Sequence, residues 1–398
     1  MKIVTFGCRL NTFESKLIEK IGSDLQDIVV VNTCAVTAEA ERQCRQAIRK
    51  VFREYPHMKI IVTGCAAQLH PEKYAQMPEV FRVLGNREKL TREMLFSDER
   101  VCVGDINQPI ENIPLVTDFE GRSRAFLQIQ QGCNHTCTFC IVRSARGKNI
   151  GLPPERVLEQ ARVFVKQGFS EIVLTGVDIT SYPYGFNSLI RRLVTEVEGL
   201  KRLRLGSLDP ACVDDELMEL LLSSPILMPH LHLSVQAGDN LVLKRMGRRH
   251  TAEQIIQFCT HLKKMCPDFV LGGDFITGFP TETEEQFLNT CQLVQEAQIT
   301  QLHVFPYSVR LGTPAAKMPM VDMGIRKERA TRLRQLGLTL EHQLLDKMIG
   351  TIRPVLIERE GHGYTDNYLK VQVSSGQIGS IIPVKITKRS KNELVGEA

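Results

Sequence analysis

The stretch 126-FLQIQQGCNHTCTFC-140 decides how the rest of the chain is interpreted. An apolar run predicts a buried strand, and three cysteines follow it at once with the spacing C-x3-C-x2-C, at Cys133, Cys137 and Cys140. Thiolates this close on one loop can turn toward a single centre, which is typical of an iron–sulfur cluster. Because only three are present, a tetranuclear cluster would keep one iron without a protein ligand, and an open coordination site is the mark of a catalytic centre.

The spacing leaves two other uses of these cysteines open. A structural zinc ion would need His135 or a remote cysteine as its fourth ligand, although zinc sites more often use two C-x2-C pairs and the sequence has no matching second pair. A loop of free cysteines is the remaining alternative. We predict that the three cysteines are the metal ligands and the catalytic residues of an iron–sulfur site.

Length and composition fit a globular protein of two to three domains, with 398 residues, 43% of them hydrophobic and 24% charged. These fractions exclude a disordered, collagen-like or coiled-coil chain. No apolar run approaches the roughly 20 residues that span a bilayer, and the N-terminus has no signal-peptide pattern, so we expect a cytoplasmic protein without a membrane partner. Disulfides are rare in that compartment, so the 12 cysteines indicate metal binding or catalysis. The net charge of +5 permits a polyanionic partner.

Residues 1–115 alternate short β-branched runs with helical stretches, which predicts a parallel α/β sheet. Cys8, Cys34 and Cys65 each follow one of the predicted strands. Because the carboxyl ends of parallel strands share one edge of the sheet, where ligands bind, we predict that these thiolates converge on a second cluster. The strands are expected at 3–6, 28–31 and 60–63, and the helices at 14–21 and 38–55.

Two glycines and the six other cysteines bear on this second site. Gly7 and Gly64 precede Cys8 and Cys65, and a residue without a side chain lets the backbone approach a bulky cluster. The alternative is that strand-end cysteines act as small buried hydrophobes. That alternative suits the cysteines that do not share the strand-end position of Cys8, Cys34 and Cys65. They are Cys44, Cys102, Cys212, Cys259, Cys266 and Cys291.

The middle of the chain predicts a partial (β/α)6 parallel barrel. Residues 107–123 contain Pro, Asn and Asp without periodicity and are expected to form a linker. Active-site residues of parallel barrels lie at the carboxyl ends of the strands. The candidate cofactor-binding residues at such ends are Gly176, Asp178, Ser207 and Gln236. The six strands are expected at 125–131, 171–176, 202–207, 230–236, 269–276 and 301–306.

The C-terminal part predicts one long helix and then a small all-β barrel. The helix is expected at 325–347, and short strands separated by Gly-rich turns follow it. Cationic faces of small β-barrels bind RNA, although a solvated charged surface is the plain alternative. The strands are expected at 355–357, 368–373 and 381–386, and the clustered basic residues are Lys385, Lys388, Arg389 and Lys391. The expected domains are 1–115, 116–346 and 347–398.

These motifs resemble the radical S-adenosylmethionine (SAM) superfamily, whose members place C-x3-C-x2-C after the first barrel strand and an aromatic residue before the last cysteine, here Phe139. With its N-terminal cysteines the chain is similar to the methylthiotransferase family, which joins an N-terminal cluster domain, a radical SAM barrel and a C-terminal TRAM domain. The resemblance covers nearly the whole chain and rests on 7-GCRLN-11, 32-NTC-34, 64-GCA-66, 146-RG-147, 272-GGDFITGFPTET-283 and 306-PYSVRLGTPA-315.

The resemblance implies roles for individual residues. The open iron of the Cys133, Cys137 and Cys140 cluster would chelate the amino and carboxylate groups of SAM. Gln236 and Arg248 would line the SAM pocket, and Gly278 would shape it. The TRAM domain would contact RNA. The chain departs from the family at Arg143-Ser144, where Pro and an aromatic residue are usual.

The resemblance also implies a reaction, the addition of a methylthio group to C2 of N6-threonylcarbamoyladenosine next to the anticodon of tRNA. Two [4Fe-4S] clusters and two SAM molecules would take part. One SAM would methylate sulfur held at the Cys8, Cys34 and Cys65 cluster, and the other would be cleaved to a 5′-deoxyadenosyl radical. The segment 8-CRLN-11 resembles the branch for this nucleoside, because the isopentenyladenosine branch more often has Gln in place of Arg9.

Three alternatives and several partners stay open at this stage. The chain could instead modify isopentenyladenosine in tRNA or an aspartate of a ribosomal protein, or it could be a non-catalytic iron–sulfur protein that binds RNA. The sulfur donor and the electron donor are unknown. In the favoured interpretation, Arg9 or Arg143 could meet the substrate carboxylate, since a polar group on a substrate calls for a matching polar site.

Overall fold

The N-terminal part of the chain forms a five-stranded parallel sheet. In the computed structural model, which describes residues 1–108, 114–119 and 121–398, its strands lie in the order of the sequence. The strands are β1 (Lys2–Thr5), β2 (Ile28–Thr33), β3 (Lys59–Gly64), β4 (Arg82–Leu84) and β5 (Val101–Cys102). The helices are α1 (Arg9–Ile21), α2 (Ala38–Glu54), α3 (Cys65–Leu69), α4 (Pro71–Ala75) and α5 (Arg92–Phe96). β2 is buried along its whole length, as expected for a central strand covered on both faces.

The predicted sheet is confirmed, with two differences. The helix predicted at 14–21 begins five residues earlier, at Arg9, because Leu10 and Phe13 extend its buried face up to the capping residue Cys8. The short strands β4 and β5 were not predicted, since two or three residues carry too little pattern to be read as strands.

The described part of the predicted linker is packed rather than free. Phe119 is buried and its ring contacts Phe13, Phe126 and Phe164. The backbone of Val116 exchanges two hydrogen bonds of 2.7 Å with the side-chain amide of Gln160. Residues 109–113 and 120 of the linker prediction lie outside the described residues.

Six strand–helix units follow, and the predicted class of fold is confirmed. The strands are β6 (Arg124–Gln128), β7 (Gln130–Gln131), β8 (Ile150–Gly151), β9 (Glu171–Thr175), β10 (Arg202–Arg204), β11 (Ser207–Leu208), β12 (His230–Gln236), β13 (Val270–Thr277) and β14 (Gln301–Pro306). The helices are α6 (Val142–Arg146), α7 (Pro154–Lys166), α8 (Phe186–Glu196), α9 (Asp215–Ser223), α10 (Asn240–Met246), α11 (Ala252–Met265), α12 (Glu284–Glu296) and α13 (Met323–Lys347).

The third barrel strand is broken, so the prediction of one strand at 202–207 is wrong. The chain leaves the sheet at Leu205 and Gly206, where an added β-carbon on Gly206 would lie 2.6 Å from the carbonyl oxygen of Leu174. The break divides the barrel into a sheet of order β10-β9-β6 and a sheet of order β11-β12-β13-β14. Among the described residues no ladder joins β6 to β14, and α1 of the N-terminal part packs against β6.

The C-terminal part forms a closed five-stranded barrel. Its strands are β15 (Ile352–Arg359), β16 (His362–Thr365), β17 (Lys370–Val373), β18 (Ile381–Ser390) and β19 (Glu393–Glu397), in the order β15-β16-β17-β19-β18. The prediction missed β16 and β19, and it began β17 two residues early because Tyr368 is a turn residue with φ +71°. No helix in the described ranges combines the length and the apolar character that a bilayer crossing requires.

The C-terminal barrel covers the amino-terminal ends of the strands in the larger barrel. Arg202 donates to the carbonyl oxygen of Pro354 at 2.7 Å, and Arg204 donates to that of Asp366 at 3.0 Å. The ring of Tyr368 lies 4.7 Å from the ring of His230. The opposite ends of the strands, where the predicted site residues lie, are left to face the cysteine loop.

Candidate active site

The loop of Cys133, Cys137 and Cys140 runs between β7 and α6 and is held by its neighbours. Thr138 donates to Met246 from its backbone nitrogen at 2.9 Å and to Arg245 from its hydroxyl at 2.8 Å. All three cysteines are half-buried. Burial, with smaller contributions from the charges of Asp178, Cys140 and Cys137, raises the pKa of Cys133 to about 12. The loop is therefore anchored to α10 and carries three half-buried thiols.

The sulfur positions discriminate between the metal alternatives. Sulfur atoms bound to one zinc ion at about 2.3 Å lie roughly 4 Å apart. Among the described residues, neither cysteine triad has its three sulfur atoms within 4.8 Å of one another. A larger centre such as a [4Fe-4S] cluster fits both donor sets better than a single zinc ion.

His135 does not complete a zinc site with the cysteine loop. Its Nε2 atom lies 2.8 Å from Asp178 Oδ2 and 3.0 Å from Arg249 Nη2. Cys133, His135 and Asp178 have donor atoms within 4.8 Å of one another, but a metal ion bound to His135 Nε2 would have the Arg249 cation as a close neighbour. A positive charge there favours an anionic ligand.

A cage of charged side chains flanks the cysteine loop. Arg248 lies 3.6 Å from Cys137 Sγ and donates to Asp209 at 2.9 Å and to the carbonyl oxygen of Ser234 at 2.8 Å. Burial alone would raise the pKa of Asp209, but His250 at 3.8 Å, the charge of Arg248 and the hydrogen bond from Arg249 hold the pKa well below its usual range. The Nε atom of Arg248 is buried without a partner among the described residues. An acceptor such as the carboxylate of SAM would satisfy it.

The structure also brings the three N-terminal cysteines together. Cys8 caps α1, Cys34 follows β2 and Cys65 begins α3, all at the carboxyl edge of the sheet. Burial raises the pKa of Cys34 to about 12, and the charges of Cys65 and Cys8 contribute. A β-carbon on Gly7 would lie 3.0 Å from Cys34 Sγ, so this glycine does allow close approach to the site.

The structure gives Gly64 a reason that was not predicted. A β-carbon on Gly64 would lie 2.4 Å from the carbonyl oxygen and 2.5 Å from the nitrogen of Thr33. Its φ of +94° also belongs to the left-handed region that favours glycine. The residue is therefore required by the adjoining strand, and it positions Cys65 indirectly.

A fully buried charge network joins the two cysteine segments. Arg146 ends the helix that follows Cys140, and its Nε atom donates to Cys65 Sγ at 3.3 Å. Its guanidinium pairs with both carboxylate oxygens of Glu14, and Lys89 Nζ lies 2.7 Å from the same carboxylate. Burial alone would raise the pKa of Glu14, but the charges of Arg146 and Lys89 hold it below its usual range.

A cavity of about 260 Å³ lies where the two cysteine segments face each other. Cys140 and Phe139 line it from the loop, and Val36 lines it just beyond Cys34. The segment 306–315 closes its side, since Ser308 accepts from the backbone of Ala38 at 3.1 Å and Arg310 forms an ion pair with Glu41. The motif at 306–315 thus connects the cysteine loop to the N-terminal part.

The predicted cofactor-binding residues fall into two groups. Asp178, Arg248, Gln236 and Phe139 lie beside the cysteines or the cavity between them. The other three have a close neighbour that explains their identity. An added β-carbon on Gly176 would lie 2.8 Å from Gln130, and one on Gly278 would lie 2.4 Å from Arg326. The hydroxyls of Ser207 and Ser234 lie 2.9 Å apart.

Sequence reasoning missed a polar layer inside the barrel. His232, Asp274 and His303 lie on three adjacent strands, and Asp274 Oδ1 is 3.0 Å from His232 and 3.2 Å from His303. The signal for His232 was available, because residues two apart on a strand share a face and Gln236, four residues beyond His232, was predicted to line the cofactor pocket. Asp209 was likewise not among the predicted site residues.

Comparisons with known proteins agree on the family of the chain. Residues 127–294 match the Radical SAM superfamily, and residues 1–85 match the uncharacterized protein family UPF0004. Threonylcarbamoyladenosine tRNA methylthiotransferase MtaB of Rickettsia prowazekii is 46% identical over 406 residues, covering 99% of this chain and 94% of the relative. The protein of the same name from Bacillus subtilis is 37% identical, covering 96% and 93%. The tRNA-2-methylthio-N(6)-dimethylallyladenosine synthase of a Ruegeria species is 32% identical, covering 99% and 98%.

Solved structures with a similar fold are more distant. The radical S-adenosylmethionine methyltransferase TsrM from Kitasatospora setae aligns with a TM-score of 0.54 at 16% identity, covering 77% of this chain and 69% of that one. The cobalamin-dependent radical enzyme OxsB gives 0.51 at 15%, covering 83% and 50%. These similarities support the fold alone. The full-length relatives, together with the Radical SAM match, show that the chain belongs to the methylthiotransferase family of radical SAM enzymes.

Proposed function

We propose that this protein adds a methylthio group to C2 of N6-threonylcarbamoyladenosine next to the anticodon of tRNA. Membership of the radical SAM superfamily implies SAM and a [4Fe-4S] cluster, and the proposal adds a second cluster and a second SAM. The observation that carries it is the pair of three-cysteine segments, which are joined through Arg146: this residue ends the helix after Cys140 and donates to Cys65 Sγ at 3.3 Å. Three ligands in each site leave an iron open for a substrate-derived group.

In this proposal the chain's own residues hold and orient the reactants. Cys133, Cys137 and Cys140 would hold one cluster, and Cys8, Cys34 and Cys65 the other. When bound, the clusters and SAM supply the radical and the methylated sulfur. Arg248 would donate to the SAM carboxylate and Asp209 would hold Arg248 in place. The apolar side chains of the cavity would exclude water from the reacting atoms.

The rest of the molecule is assigned to the substrate. We assign residues 347–398 to RNA contact, residues 116–346 to SAM chemistry and residues 1–115 to the sulfur-carrying site. A substrate in tRNA also implies that the protein works in the cytoplasm. The choice of nucleoside is supported by the relatives at 46% and 37% identity, whose names carry threonylcarbamoyladenosine, whereas the dimethylallyladenosine relative reaches 32%.

The test is turnover by the purified, anaerobically reconstituted protein with SAM and a reductant. Anticodon stem-loops that carry threonylcarbamoyladenosine, isopentenyladenosine or plain adenosine are supplied in parallel, and the products are analysed by nucleoside mass spectrometry. We expect a methylthio product from the first RNA and little from the others. Equal or faster turnover of the isopentenyl RNA would contradict the assigned nucleoside, and no methylthio product from any RNA would contradict the reaction.

A further inference from the structure

A second and larger cavity, of about 740 Å³, lies between all three parts of the chain. Cys8 and Arg9 line it from the N-terminal part, and Arg124 lines it from the first barrel strand. Tyr364 and Tyr368 line it from the C-terminal barrel. One wall thus begins at a cysteine of the N-terminal triad, and the opposite wall belongs to the segment assigned to RNA contact.

The charges in this cavity leave a positive surplus. Glu358 is the carboxylate that lines the cavity, and it pairs with Arg124. Lys370 pairs with Glu393 at 2.5 Å. Among the described residues, three arginines line the cavity and have no carboxylate oxygen within 4.0 Å: Arg9, Arg122 and Arg359. An unpaired guanidinium beside a cavity favours a ligand with a carboxylate or a phosphate, which it can bind through two parallel hydrogen bonds.

The aromatic wall holds one of these arginines in place. The rings of Tyr364 and Tyr368 are stacked, with centroids 5.1 Å apart and planes at 26°. Arg124 and Arg204 lie over the Tyr368 ring at 4.8 and 4.6 Å. The Tyr368 hydroxyl accepts a hydrogen bond from Arg9 Nη2 at 3.4 Å. Arg9 is therefore directed into the cavity, next to ring faces of the kind on which nucleobases stack.

We propose that Arg9 binds the carboxylate of the N6-threonylcarbamoyl group and so selects the modified nucleoside. This inference rests on the proposed function. Because Arg9 directly follows Cys8, a carboxylate held there would keep the adenine ring close to the N-terminal triad. Arg143, the other arginine considered from the sequence, is exposed on α6 and does not line this cavity.

An RNA phosphate offers similar chemistry, so the test separates the two anions. Full-length reconstituted protein is titrated, without SAM, with two anticodon stem-loops that differ only in carrying threonylcarbamoyladenosine or adenosine. The variant is Arg9→Gln, and the matched control is Arg122→Gln, which removes another arginine of the same cavity that has no carboxylate partner. Iron content and circular dichroism establish that both variants are folded.

We expect wild-type protein to prefer the modified RNA. Arg9→Gln should weaken binding of that RNA by about ten- to a hundredfold, the value of one charge-assisted contact, and leave adenosine RNA within about twofold. Arg122→Gln should weaken both RNAs by one common factor. If Arg9→Gln weakens both RNAs equally, or neither, the inference is overturned while the proposed function stands. If the wild-type protein binds both RNAs equally and forms no methylthio product from threonylcarbamoyladenosine or isopentenyladenosine RNA in the turnover test, the proposed function fails and the inference fails with it.

Discussion

At the scale of single residues, Arg146 is the side chain on which the two cysteine segments depend most. It is fully buried, and it contacts a sulfur atom of one segment although its own helix follows the other. A buried ion pair gives little net stability compared with apolar packing, but removal of one partner leaves an uncompensated charge and is costly. The network of Arg146, Glu14 and Lys89 therefore fixes a relative position of the segments that apolar packing would not specify.

We predict that Arg146→Gln lowers the free energy of unfolding by about 3 kcal/mol, because Glu14 then keeps only one of its two buried cations. Urea unfolding of the protein without clusters measures the change. Arg143→Gln is the control, since that arginine lies on the same helix but is exposed, and its effect should stay within about 0.5 kcal/mol. Equal stability of the two variants would show that the buried network does not hold the segments.

At the scale of elements, the turns before the cysteines set the direction of the thiols. Gly64 at the end of β3 and Gly132 after β7 both have positive φ, at +94° and +70°. A β-carbon on Gly132 would lie 1.8 Å from the carbonyl oxygen of Lys148. Both turns thus combine a left-handed backbone with close contact to another segment of the same chain. No residue other than glycine fits there without a shift of that segment.

We predict that Gly64→Ala displaces Cys65 and removes the iron of the N-terminal site while the other site keeps its own. Gly168→Ala is the matched control, because its φ of +87° imposes the same strain but nothing lies within 4 Å of an added β-carbon. The control should cost about 1 to 2 kcal/mol of stability and no iron. Iron analysis and urea unfolding of both variants provide the measurement. Full iron in Gly64→Ala would refute the steric argument.

The elements predicted well from the sequence are those whose signal is local and long. β1, β2, β3, α2, α13 and the intact barrel strands follow from periodic apolar runs. The N-terminal cysteine triad was predicted from strand ends, and the other triad from its spacing on one loop. The break at Gly206 and the turn at Tyr368 depend on contacts with distant chain segments. The pairing of Arg146 with Glu14, 132 residues apart, has no local signal either.

At the scale of the whole molecule, the C-terminal barrel serves as a cover as well as a candidate RNA surface. Asn367 donates to the carbonyl oxygen of Asp268 at 3.0 Å, and Ser123 donates to that of Ile357 at 2.9 Å. Removal of residues 347–398 would uncover the buried arginines of β10. Loss of RNA binding in such a truncation would therefore not separate a contact role from a structural one, and substitutions on the exposed face are the better test.

We predict that the double variant Lys385→Glu and Lys388→Glu weakens tRNA binding and reduces the dependence of affinity on salt, because fewer phosphates are neutralised. Both lysines are exposed on β18. The double variant Lys166→Glu and Lys264→Glu, on the exposed sides of α7 and α11, controls for the same change in net charge. Binding titrations at several salt concentrations measure both quantities. A salt dependence equal to that of wild type would exclude this face from RNA contact.

The central claim is that the chain holds two independent three-cysteine cluster sites, and iron analysis after anaerobic reconstitution tests it most directly. The wild-type protein should bind about eight irons, and alanine substitution of either Cys8, Cys34 and Cys65 or Cys133, Cys137 and Cys140 should leave about four. A control with Cys266 and Cys291 replaced by alanine should keep about eight, since these half-buried cysteines lie at the end of α11 and on α12 rather than in either triad. A variant without Cys8, Cys34 and Cys65 that still binds about eight irons would contradict the account.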